Sequence, residues 1–99
     1  MIDAATANRI ADAVTRVPGV AAMYRGAYGE LALLYPGTRV YGLKLIDGTL
    51  NIHIVASLRA CRDTDVDKPA LETLAEAAAI AATEVSGLDV RVVVSDIIE

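Results

Sequence analysis

The sequence predicts an α+β fold: a single two-layer domain in which a mixed sheet of about five strands carries two helices, in the order α-β-β-β-β-α-β. Three observations support that reading. Pro69 opens an alanine-rich helical pattern that Ser86-Gly87 stops, and Leu88–Ile98 then runs as a valine-rich strand. Leu50–Ala56 is a preceding strand for that helix to return to, which makes a strand–helix–strand unit. Asp47-Gly48 separates two alternating apolar runs, the pattern of a tight hairpin whose type I′ turn needs positive φ at both central positions. With 99 residues there is room for one core, so residues 1–99 read as one domain.

The elements follow in order. Asp3 is placed to cap a first helix running to about Arg16, because its carboxylate accepts amide hydrogens left free at a helix start. Ala7, Ile10, Val14 and Val17 recur at three- and four-residue spacing and form its apolar face, with Arg9, Asp12 and Arg16 off that stripe. Pro18-Gly19 ends it, since proline lacks the amide donor and glycine accepts the reversed backbone. Val20–Tyr24 and Glu30–Tyr35 read as short strands joined by a hairpin loop, Arg25-Gly26-Ala27-Tyr28-Gly29. Tyr35-Pro36-Gly37 is a turn, and Val40–Ile46 is the next strand, with Tyr41, Leu43 and Leu45 on one face.

In the partner strand Leu50, Ile52 and Ile54 share a face, and Asn51 and His53 lie on the other. Ser57–Lys68 reads as a charged loop. Pro69 suits a first helical turn, where its missing N–H would be unbonded anyway. Along that second helix Leu71, Leu74, Ala78, Ala81 and Val85 share a face, while Ile80 points nearly opposite, among Glu76, Ala77 and Glu84. Val93 interrupts the polar side of the last strand, which predicts a central strand partly covered on both faces.

Composition narrows the function classes. Hydrophobic residues make up 55% of the chain and charged residues 22%, a balance that excludes disorder. A net charge of −4 repels phosphate backbones and argues against a nucleic-acid partner. The single cysteine, Cys61, cannot close an internal disulfide and fits a reducing cytosol. The N-terminus lacks the basic start and apolar run of a signal peptide, and no stretch is apolar enough to insert in a membrane. The expectation is a cytoplasmic protein, membrane-associated only through a partner.

Each candidate site has a plainer explanation. His53, the only histidine, has no orienting carboxylate nearby in sequence and reads as a solvated strand residue. Cys61 has Arg59 and Arg62 beside it, which favours a thiolate, but no histidine or second cysteine accompanies it. Asp63, Asp65 and Asp67 imitate the first ligands of a calcium loop, but Lys68 stands where that loop needs glycine and Leu74 where it needs a bidentate glutamate. They read instead as an acidic lead-in to the helix, so no metal is expected. Gly26-Ala27-Tyr28-Gly29 spells the GXXG of an RNA-clamping loop, but strand-like segments flank it where helices are required. The sequence therefore predicts no catalytic residue and no cofactor. It leaves Ile80, with Ala77 and Glu76, as a candidate interaction surface.

Three stretches resemble the alkaline-shock, or envelope stress response, protein family of bacteria. The first is Ile10-Ala11-Asp12-Ala13-Val14 leading to Val17-Pro18-Gly19-Val20. The second is the hairpin Val40–Ala56, whose Leu50-Asn51-Ile52-His53-Ile54-Val55 looks like the family's V-x-I-x-V run. The third runs from Glu84-Val85-Ser86-Gly87-Leu88-Asp89-Val90 through Val92-Val93-Val94-Ser95-Asp96-Ile97, and is similar to the ending TGL-x-V-x-x-V-x-V-x-x-I. The family usually follows its fourth strand with Tyr-Gly and an Ile-Pro helix entry, where this chain has Ala56-Ser57 and the charged loop. The resemblance implies a non-enzymatic stress-response protein of cell-envelope homeostasis. It also implies docking to a membrane-anchored protein, while self-association into a homo-oligomer is expected from exposed sheet edges, Ile80 and the small-residue second helix, whose alanines permit close backbone approach. A small-molecule-sensing regulatory domain is the alternative that the fold class suggests.

Overall fold

A computed structural model of the chain describes residues 2–57 and 70–98. The elements are α1 (Ala4–Thr15), β1 (Val20–Met23), β2 (Ala32–Tyr35), β3 (Thr38–Tyr41), β4 (Leu43–Ile46), β5 (Thr49–Ser57), α2 (Ala70–Ser86) and β6 (Asp89–Ile98). The α+β class holds, with six strands in place of about five. The charged stretch from residue 58 on, with Cys61, Asp63, Asp65, Asp67 and Pro69, lies outside the described residues.

Helix α1 starts where its cap predicts. Asp3 is extended, and its side chain accepts the Thr6 N–H at 2.7 Å. Ala7, Ile10 and Val14 are buried on one stripe and Val17 packs at its margin, while Arg9, Asp12 and Arg16 are exposed. On α2 the buried positions are Leu74, Ala78 and Ala82, each four residues from the next, so Ala82 takes the innermost place expected of Ala81.

Strand β5 organises the main sheet. β4 pairs antiparallel with its first half, from Ile46↔Thr49 to Leu43↔Ile52, and β1 pairs antiparallel with its second half, from Met23↔Ile54 to Val20↔Ala56. These two short strands therefore lie end to end along one edge of β5. β6 runs parallel to β5 along the other edge, as the strand–helix–strand unit requires. Alternation along β5 sends Leu50, Ile52, Ile54 and Ala56 into a fully buried row beneath both helices. Each such isoleucine or leucine contributes roughly 1.5–3 kcal/mol through burial. Asn51, His53 and Val55 occupy the opposite, partly open face.

Three expectations are corrected. Val40–Ile46 is not one strand: Gly42, at φ 84, breaks it into β3 and β4, which belong to different sheets. The glycine links those sheets, since its N–H donates to Leu31 O at 2.7 Å and its carbonyl accepts the His53 N–H at 2.7 Å. The segments Val20–Tyr24 and Glu30–Tyr35 do not form a hairpin either. β1 is drawn to β5, whereas β2 pairs with β3 through the Pro36-Gly37 turn in a separate two-stranded sheet. The third correction concerns β6, which is not central. Among the described residues it pairs with β5 alone, and its outer edge meets no other strand. The Asp47-Gly48 turn is as expected, with φ of 50 and 82, both positive.

Candidate functional site

Three regions contain those residues singled out from the sequence that lie among the described ones. The first is the open sheet face around His53. Parallel pairing of β5 with β6 brings His53 Nδ1 to 2.9 Å from Ser95 Oγ, a residue 42 positions away. Burial, and then the charge of Lys44 on the neighbouring strand, holds the imidazole below its ordinary pKa of 6.5. A neutral histidine on a serine hydroxyl is half of a nucleophilic apparatus, which also needs an orienting group and an oxyanion cradle. Among the described residues the ring's hydrogen-bond partner is Ser95. The contact joins β5 to β6. Ser95 is an extra residue in β6, because Ile54 faces Val94 while Val55 already faces Asp96, and the histidine holds that bulge in place. Sequence spacing gives no hint of this contact; the predicted parallel pairing of the two strands was the one signal able to find it.

The second region is the Arg25–Glu30 loop, which carries the GXXG spelling of a phosphate clamp but reads from the sequence as a hairpin loop. The loop closes on itself instead. Leu31 N–H donates to Arg25 O at 2.9 Å, and the Glu30 carboxylate accepts the Tyr28 N–H at 2.9 Å. Backbone amides of Glu30, Tyr28 and Ala27 hold the Glu30 carboxyl below the usual carboxylate range. A carboxylate of the chain itself thus occupies the amides that would face a phosphate. Arg25 lies over the Tyr41 ring, 4.3 Å from its centroid, which ties the loop to β3.

The third region is the exposed apolar surface. Ile80 is 61% exposed on α2, with Ala77 half-buried and Glu76 exposed beside it, as the helical spacing predicts. Sequence reading missed the end of β6, where Ile97 and Ile98 are 44% and 47% exposed at the open sheet edge. The assumption of a central strand concealed them. A cavity of about 280 Å³ under the β2–β3 hairpin is lined by Ile2, Leu33, Leu34, Tyr35 and Leu45, and is largely apolar. Tyr35 Oη donates to Ile2 O at 2.8 Å along its wall.

Among the described residues no group of three or more metal-ligating side chains occurs, and no helix is long and apolar enough to cross a membrane. No protein-family model, curated protein or solved structure matches the chain.

Proposed function

We propose that this chain is a non-enzymatic interaction domain that works by self-association. The single observation carrying this reading is the ten-residue strand β6, whose outer edge is open among the described residues and whose last two residues are exposed isoleucines. Natural sheets shorten, charge or cover such edges, because a row of unpaired N–H and C=O groups recruits another strand. The exposed Ile80 on α2 provides a second surface, suited to a different protein. The envelope-stress setting and the membrane-anchored partner rest on the sequence resemblance to alkaline-shock proteins.

Light scattering over a concentration series tests the first part, and a strict monomer at high micromolar concentration refutes it. For the second part, purified chain is incubated with native lysate that retains its membrane fraction. The expected result is enrichment of one membrane-anchored protein, lost on Ile80→Glu. Enrichment that survives Ile80→Glu removes that face from the reading.

The apolar cavity under the β2–β3 hairpin favours a second reading, a small-molecule sensor. A metabolite that raises the melting temperature by several degrees, with the rise abolished by Leu33→Trp, supports that reading over the first.

A further inference from the structure

The bulge at Ser95 decides which charged residues of two copies would face each other. We propose that β6 pairs antiparallel with β6 of a second copy, about a two-fold axis normal to the sheet at Val93. This rests on the self-association reading and specifies its geometry.

Before the bulge Val90, Val92 and Val94 sit beside the buried Leu50, Ile52 and Ile54, whereas Arg91 and Val93 sit beside Asn51 and His53 on the open face. After it Ile97 sits beside the buried Ala56, and Asp96 and Ile98 sit beside Val55 and Ser57 on the open face. The extra residue therefore shifts the alternation by one. A two-fold axis normal to the sheet keeps each face on its own side, so paired residues must share a face.

With the axis at Val93, that residue meets itself and Val92 meets Val94 of the second copy. Skipping the bulged Ser95 in each strand, Arg91 then meets Asp96, Val90 meets Ile97 and Asp89 meets Ile98. Every pair matches in face. An unbulged strand would match in face as well, but Arg91 would then meet Ser95 and Asp96 would meet Val90 on the helix-covered face; the bulge is what sets Arg91 opposite Asp96.

The chemistry is self-complementary as well. Arg91 and Asp96 are both exposed, and the two-fold axis makes their pairing occur twice, once on each side of the centre; in the single copy the Asp96 carboxylate accepts the Ile97 N–H at 2.8 Å, a bond that the pairing exchanges for cross-strand ones. The apolar residues Val90, Val92, Val94 and Ile97 form a row that continues the core of one copy into that of the next. His53 contributes indirectly, by holding Ser95 and so the shifted register. The predicted occupant of this edge is a second copy of the chain.

Analytical ultracentrifugation of charge variants is the test. Arg91→Asp or Asp96→Arg alone turns two attractive cross-strand pairs into two repulsive ones and is expected to weaken the dimer roughly tenfold. The double variant Arg91→Asp/Asp96→Arg restores opposite charges and is expected to return the dimer to near its original affinity. A second measurement guards against misfolded variants: Val93→Cys in a Cys61→Ser background is expected to cross-link on mild oxidation, with its partner at the axis.

A dimer that ignores both single charge variants, or a Val93→Cys chain that stays uncross-linked while dimeric, overturns this pairing and leaves self-association intact. A chain monomeric at every concentration overturns both.

Discussion

Replacing Gly42 with alanine tests the junction on which the whole arrangement turns. The residue sits at φ 84, in the left-handed region, where a Cβ costs about 1–2 kcal/mol. An added Cβ would also lie 2.8 Å from Met23 Cβ and 2.9 Å from the His53 carbonyl oxygen. Neither is the free end of a flexible side chain, so β1 or β5 must move, and overpacking of this kind costs typically ~1–3 kcal/mol. The sum is roughly 3 kcal/mol, a large part of the ~5–15 kcal/mol that holds a domain together. For a chain of this size it corresponds to a fall in melting temperature of about 12–24 °C.

Gly37 supplies the control. It has a similar φ of 76, and an added Cβ there meets nothing within 4 Å, so Gly37→Ala carries backbone strain without the clash. Thermal and urea unfolding followed by circular dichroism would compare the two variants. Gly42→Ala is expected to melt well below Gly37→Ala; if the two melt within a few degrees of each other, the close approach of β1, β5 and Gly42 is refuted.

Ile52 is fully buried between the helices and the sheet, so Ile52→Ala is expected to cost about 2–5 kcal/mol in urea unfolding. His53 has a folded pKa below 6.5, so as pH falls through that value the unfolded chain takes the proton first and stability drops until the folded pKa is passed. The melting temperature should therefore fall more between about pH 7.5 and 5.5 for the native chain than for His53→Gln. The hydrogen bonds from Thr6 hold the Asp3 carboxyl below its ordinary 3.8, so its contribution is present above that pH and lost as pH falls through the lower folded value. Asp3→Asn, which retains a cap, should show a shallower acid limb in a melting-temperature profile.

How legible each part was depended on the range of the forces behind it. The Asp3 cap, the α1 stripe and the Asp47-Gly48 turn are settled within a few residues, and each stands where the sequence places it. Ile80 could be read as exposed because helical spacing alone turns it away from Leu74 and Ala78. Gly42 was less legible. Apolar alternation continues across it, and the break shows only in its positive φ and in its backbone hydrogen bonds to Leu31, just before β2, and to His53 in β5. The candidate interface fared likewise, since Val93 looked like the mark of a central strand. In the fold its side chain shares the open face with His53, while the outer edge of β6 is unpaired among the described residues.

The amino-acid sequence by itself determined the α+β class, the two helices with the Asp3 cap and the α1 face, the Asp47-Gly48 turn, and the parallel return of β6 to β5. Those follow from local backbone preferences and from the periods at which apolar residues recur. Only the tertiary structure decided that β1 and β4 share one edge of β5, that β2 and β3 form a sheet of their own, and that His53 clips the bulge at Ser95. Strand partnership is a competition among all available edges, won by burial and backbone hydrogen bonds between residues far apart in the chain. No local pattern contains its outcome.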